Sequence, residues 1–192
     1  MIQHLAISID QIKEADNFVD KLKELIIKCI DKQIPVLTLK IPEIDYDILH
    51  DFIKKIYSWD KIHTEKMKIN VFGKWYDLAW RVVDEIKKII NETKGYDGFF
   101  LNFCVSYDGQ EEIVDACRLL AKQAKMDKIS PEKINKDDIK ENLYTSAFMP
   151  PEKMIILGNK KNIDGFLLWD SSKAKIIFLD ENFENINFEM IL

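Results

Sequence analysis

The residues of this chain that could do chemistry stand where apolar runs give way to turns. Asp10 follows the run His4 to Ile9, HLAISI, as a loop residue or helix N-cap. Tyr107, Asp108 and Gly109 make a turn between the run GFFLNFCVSY and an amphipathic segment that opens on Glu111 and Glu112. Ligands of open α/β sheets bind at such junctions, at the carboxyl end of a strand. The same two glutamates suit the positive end of a helix dipole, which is their plainer role. Lys13, Lys40, Lys74, Lys160 and Lys161 fall near expected strand ends and form a weak anion pocket; Lys160 and Lys161 also read as a solvated loop pair. A lysine ammonium is a point charge on a flexible stem, so it holds a phosphate without fixing its angle. Arg81 and Arg118, the only arginines, lie inside helical patterns.

Other chemistries lack their residues. There is no Walker A loop, no GxGxxG, no GxSxG elbow and no HExxH. His4, His50 and His63 are scattered, and each reads as an ordinary surface or half-buried residue. Cys29, Cys104 and Cys117 sit in apolar patterns without metal spacing, so buried free thiols are expected. A net charge of −5 argues against a nucleic-acid partner, whose backbone needs clustered Lys and Arg. Ile2 to Ile9 is too short for a signal-peptide core, and no apolar run approaches the length of a membrane span. A cytoplasmic location is expected, compatible with peripheral contact at a membrane.

The elements that must position these groups follow from hydrophobic period. β-rich runs are expected at His4 to Ile9, Ile34 to Lys40, Met67 to Phe72, Gly98 to Tyr107, Met154 to Leu157 and Lys175 to Leu179, with FLLWD, Phe166 to Asp170, between the last two. Helical stripes run from Phe18 to Ile30, Ile44 to Ile56, Trp75 to Ile90 and Glu111 to Ala124, with a short helix at Ile139 to Tyr144. Trp75, Trp80 and Trp169 lie in or beside these stripes and are expected in core or interface. Such alternation implies an α/β fold: one domain over residues 1–192, with a mostly parallel six-stranded sheet flanked by helices.

Four stretches, in order, resemble the cis-prenyltransferases, the undecaprenyl and dehydrodolichyl diphosphate synthase family. SYDGQEEIVDA at Ser106 to Ala116 resembles that family's YGGRxEIVDA, with Asn102 before it, and HLAISID at His4 to Asp10 resembles HxAIxxDGN. IPVLTLK resembles the strand before SxEN, and IDGFLLWDSSKAKIIFLD at Ile163 to Asp180 resembles LSxFLLWQxAYxExYF. The resemblance implies repeated addition of isopentenyl diphosphate to an allylic diphosphate, with a magnesium-bound leaving group. It places the catalytic, magnesium-orienting aspartate on Asp10.

Much of the remaining pattern is absent. Gln11 and Ile12 replace the glycine and asparagine after the aspartate, and part of the phosphate-binding loop before the first helix is missing. Lys40, Ile41 and Pro42 replace SxEN. In ILGNKKNID, Ile156 to Asp164, the two diphosphate-clamping arginines fall on Ile156 and Asn162, and the serine on Asp164. The second metal carboxylate falls on Lys175, and no RxG precedes Leu192. What the resemblance implies is thus a non-catalytic subunit, similar to the Nogo-B receptor type, that stabilises a catalytic paralogue. Its interface would use Asn102, Tyr107, Glu112, Phe166 and Trp169. The alternatives are an active prenyltransferase using Asp10 and Mg2+, with Lys13, Lys40, Lys160 and Lys161 as substrate-binding groups, and a prenyl diphosphate carrier or sensor. The partner is either that paralogue or a second copy in a homodimer.

Overall fold

A computed structural model of the chain describes residues 2–192. Six strands form one sheet in the order β3-β4-β2-β1-β5-β6: β1 (His4–Ser8), β2 (Val36–Lys40), β3 (Met67–Phe72), β4 (Phe99–Cys104), β5 (Lys153–Leu157) and β6 (Lys175–Leu179). Every strand pair is parallel, so the expected mostly parallel sheet is parallel throughout. All five residues of β1 are buried, and Leu5, Ala6 and Ile7 follow one another as apolar residues without alternation, as a strand covered on both faces requires.

Alternate residues of each strand feed two cores. Leu5, Ile7, Leu37, Leu39, Ile69, Leu101, Phe103, Ile155 and Leu157 point into the larger one. There they meet Phe18, Leu22 and Ile26 of α1 (Ala15–Asp31), Phe52 and Ile56 of α2 (Tyr46–Tyr57), and Val82, Ile86 and Ile89 of α4 (Trp80–Thr93). A single turn of helix, α3 (Lys61–Thr64), which the period of the sequence does not signal, precedes β3. On the other face Ala6, Cys104, Met154 and Ile156 pack with Tyr107, Phe166 and Leu167. That side carries α5 (Gly109–Lys125) and the short α6 (Lys136–Glu141).

Two details depart from the sequence reading, and a third adds to it. The helix expected from Trp75 begins at Trp80, after a 3-10 turn over Trp75–Asp77, and Trp80 itself is 81% exposed and so outside the core. Phe166 to Trp169, to which the hydrophobic period assigned no element, is a chain of turns whose Phe166 and Leu167 plug the smaller core. Cys117 is exposed, while Cys29 and Cys104 are buried as expected.

A polar ladder crosses four adjacent strands on the smaller-core face. Asn70 Nδ2 donates to Asn102 Oδ1 at 2.9 Å, and Asn102 Nδ2 donates to Thr38 Oγ1 at 3.0 Å. Thr38 meets His4 Nε2 at 2.8 Å, and His4 Nδ1 meets the Met149 carbonyl at 2.7 Å. A carbonyl only accepts, so Nδ1 carries the proton, Nε2 accepts, and the Thr38 hydroxyl donates to it. Every link is satisfied with His4 neutral. Burial lowers its pKa accordingly, outweighing the Met149 bond.

Candidate functional site at the carboxyl edge of the sheet

The chain builds β2, β3 and β4 on one side of β1 and then crosses to build β5 and β6 on the other. The junction of β1 and β5 is therefore the place where the course of the chain reverses, and crevices open at such points. Asp10 follows β1, and Gly158 follows β5. The two are in contact: Gly158 has φ +79°, and a Cβ there would lie 2.7 Å from the Asp10 Cβ. Only glycine combines that backbone angle with that closeness. Asp10 Oδ1 is enclosed and meets no hydrogen-bond partner among the described residues.

Beside this contact lies a cleft of about 970 Å³ at the carboxyl ends of the strands. One wall is apolar, from Ile9, Ile41, Pro42, Ile44, Leu49 and Leu78. The other comes from the β4–α5 turn, Val105 to Asp108, and the loop of residues 158–168 contributes Lys160 and Asp164. The Asp108 side chain caps α5 by accepting from the Gln110 N–H at 2.7 Å, so the Tyr-Asp-Gly turn does the structural work expected of it.

Three of the lysines read from the sequence line the cleft, and each is engaged by a carboxylate. Lys40 Nζ donates to the Asp164 carbonyl at 2.6 Å and to its Oδ2 at 3.2 Å. Lys160 Nζ reaches the same Oδ2 at 3.0 Å. The two ammonium groups, Lys160 first, hold the Asp164 carboxyl below the usual aspartate range. Lys74 donates to Glu111 Oε2 at 2.6 Å, and that bond raises the Lys74 pKa. Lys13 and Lys161, also read from the sequence as part of an anion pocket, are exposed and do not line this cleft.

Beneath the turn lies a buried acidic network. The Tyr107 hydroxyl donates to Glu112 Oε2, and the Thr145 N–H donates to Oε1 at 3.2 Å. The Thr145 hydroxyl donates to Asp170 Oδ2 at 3.0 Å, where Lys140 Nζ also arrives at 2.6 Å. Burial raises the Glu112 pKa against the opposing Tyr107 and Thr145 bonds. Nothing in the sequence reading anticipated this network, although one signal was present: Glu112 shares a face of α5 with Ala116 and Leu120, four residues apart, and all three are buried.

Of the five side chains expected to face a partner, four are buried within the single chain. Asn102, Glu112 and Phe166 are at most 1% exposed, and Tyr107 keeps only the small surface it shows to the cleft. Trp169 alone of the five is half-buried. Ile156, at the position of the first expected arginine, is fully buried in the smaller core. Lys175 opens β6 level with Lys153 and Leu5, at the far edge of the sheet from Asp10.

Magnesium keeps several waters and binds one or two carboxylates together with phosphate oxygens of its substrate, not an all-protein cage. Asp10, with its enclosed Oδ1 unpartnered among the described residues, is the carboxylate to which such a role would fall, although it lies beside the cleft and is not part of its lining. Among the described residues, no group of three or more His, Cys, Asp or Glu side chains adds to it.

An open parallel α/β sheet with an amphipathic cleft at its switch point defines the class, and comparison with known proteins defines the family. The family described as putative undecaprenyl diphosphate synthase matches residues 12–192, a range that begins just past Asp10. The chain belongs to this family, the cis-prenyltransferases. It is 32% identical over 175 residues to a tritrans,polycis-undecaprenyl-diphosphate synthase (geranylgeranyl-diphosphate specific) of Methanocaldococcus jannaschii, covering 84% of this chain and 62% of that one. The protein of the same name from Methanopyrus kandleri is 28% identical over 173 residues, covering 84% and 64%. The chain thus spans less than two thirds of the length of these two relatives. Its fold matches lavandulyl diphosphate synthase from Lavandula x intermedia, with a TM-score of 0.88 and 18% identity over 99% of this chain and 92% of that one. A probable undecaprenyl diphosphate synthase from Campylobacter jejuni gives 0.80 and 23% over 100% and 93%.

Proposed function

We propose that this chain works in polyprenyl diphosphate synthesis as a non-catalytic subunit that stabilises a catalytic paralogue. One observation carries the reading: no arginine lines the cleft, and every lysine that does is engaged by a carboxylate. The two arginines are spent elsewhere, Arg81 on Asp47 and Arg118 on Asp115. Joining isopentenyl diphosphate to an allylic diphosphate requires two diphosphates held at fixed angles while the new carbon–carbon bond forms. Bidentate guanidinium contacts supply such angles, and lysines do not. Each missing charged contact is worth about 1.5–3 kcal/mol, so two of them lower rate or affinity by orders of magnitude.

A second reading has its own support in Asp10. If Mg2+ binds its free carboxylate oxygen, the ion supplies charge neutralisation for the departing diphosphate, and Asp10 would hold and orient it. One assay separates the two. The protein is purified alone and co-expressed with a motif-complete family member, and incorporation of labelled isopentenyl diphosphate is measured with magnesium. The subunit reading expects no turnover by the chain alone and a gain in the paralogue's activity or yield when the two are together. Turnover by the chain alone, abolished in Asp10→Ala, would overturn it. Failure to co-purify with any family member would favour a carrier of prenyl diphosphates.

A further inference from the structure

We propose that the Asp164 carboxylate is a built-in occupant of the cleft's anion subsite, and that this residue decides that the cleft turns away free diphosphate anions. The inference deepens the reading above and rests on its placing of diphosphate chemistry in this cleft.

Two ammonium groups from distant parts of the chain converge on one oxygen. Lys40, at the end of β2, and Lys160, in the loop after β5, approach Asp164 Oδ2 at 3.2 and 3.0 Å. That is the arrangement an oxygen of a bound phosphate would take between two lysines. An isolated surface pair of this kind would carry little weight. Here the Lys40 side chain is only 14% exposed, and its ammonium also holds the Asp164 carbonyl at 2.6 Å.

The loop that presents the carboxylate is seated on both sides of it. At one end Gly158 rests on Asp10. At the other, the Gly165 carbonyl lies 2.1 Å from where a Cβ on Gly109 would stand, so the loop is pressed onto the first turn of α5. Between them Asp164 takes φ +49°, with its N–H donating to Asn162 Oδ1 at 3.0 Å. The backbone that carries the carboxylate is therefore held by packing and hydrogen bonding, while the Asp164 side chain, 55% exposed, is placed by its two lysines.

The remaining charges of the cleft reinforce the exclusion. Glu43, Asp45, Asp77 and Asp108 line it together with Asp164, so five carboxylates face three lysines. An incoming diphosphate would have to displace Asp164 from both lysines and then leave that carboxylate beside itself. Because the two lysines also depress its pKa, Asp164 stays ionised through the physiological range and does not yield by protonation.

The test reads binding and not turnover. Inorganic pyrophosphate is titrated calorimetrically, at low ionic strength and without metal, into the wild-type protein, Asp164→Asn and Asp164→Ser. A further variant adds Lys40→Met to Asp164→Asn. Asn keeps the shape and tolerates a positive φ; Ser serves if the Asn variant does not fold, as judged by thermal unfolding. The expected result is an affinity at least roughly tenfold higher in both single variants than in wild type. Lys40→Met should remove the gain. Equal affinity in wild type and variants, or a gain that survives Lys40→Met, would overturn the proposal. The wild-type protein gives a check independent of mutagenesis: its lysine side-chain NMR signals should stay unmoved by millimolar pyrophosphate, and movement at micromolar concentration contradicts the inference. Since no turnover is measured, an active chain would sink the subunit reading while leaving this outcome to be judged by itself.

Discussion

Asp10 and Gly158 are a matched pair, the first residues of interest beyond two neighbouring strands, with the aspartate folded over the one residue type that leaves room for it. Gly158→Ala would force a side chain into a left-handed backbone and into the Asp10 Cβ. A stability loss of about 1–3 kcal/mol is expected, read from the urea midpoint. A loss below that range would show that the 158–168 loop can shift without cost.

Asp10 itself should not be a stabilising residue. Its enclosed Oδ1 has no partner among the described residues, and an unsatisfied buried oxygen costs about 1–3 kcal/mol. Asp10→Ala is therefore expected to leave the thermal midpoint unchanged or to raise it. A clear drop would mean that the carboxylate has a structural partner, and would weaken any ligand-holding role for it.

Among the described residues Lys140 is the only cation on buried Asp170, which is 4% exposed and accepts from it at 2.6 Å. Removing one member strands the other's charge. Lys140→Met should cost on the order of 3 kcal/mol, while Lys140→Met combined with Asp170→Asn should cost much less. A double-mutant cycle in urea measures the difference, and additive losses would contradict the coupling.

Glu112 should govern part of the acid response. Its folded-state pKa lies above 4.5, because burial disfavours the charge. The folded state thus takes up this proton at higher pH than the unfolded one. The group's contribution becomes more favourable as pH falls through its folded pKa towards 4.5, and its ionised form is a burden above that window. In Glu112→Gln the new carbonyl can accept from Thr145 and the amide can donate to the Tyr107 oxygen. Stability at neutral pH is expected to be equal or higher than in wild type, with a shallower pH dependence between about 4.5 and neutrality. A large loss at neutral pH would show that the full carboxylate is needed.

The strands and most helices of this protein were legible in the sequence because period is local. An apolar run bounded by turn residues, such as His4 to Ile9, can hardly be anything but a buried strand once helices alternate with it, and six such runs imply the sheet. The family was legible for the same reason, through short contiguous segments such as Ser106 to Ala116. Even the scarcity of arginine needed no structure, since only Arg81 and Arg118 exist to be placed.

What no local pattern carries is which side chain meets which across the fold. Lys40 and Asp164 are 124 positions apart, and only the β2–β1–β5 order brings them together to close the anion subsite on itself. The same order set Gly158 beneath Asp10. It turned Asn102, Tyr107, Glu112 and Phe166 inward, where a reading of segments had put a partner. Sequence determined the elements, because backbone propensity and hydrophobic spacing act over a few residues. Tertiary structure decided the charge state and accessibility of the cleft, because those depend on groups that meet only after the sheet has assembled.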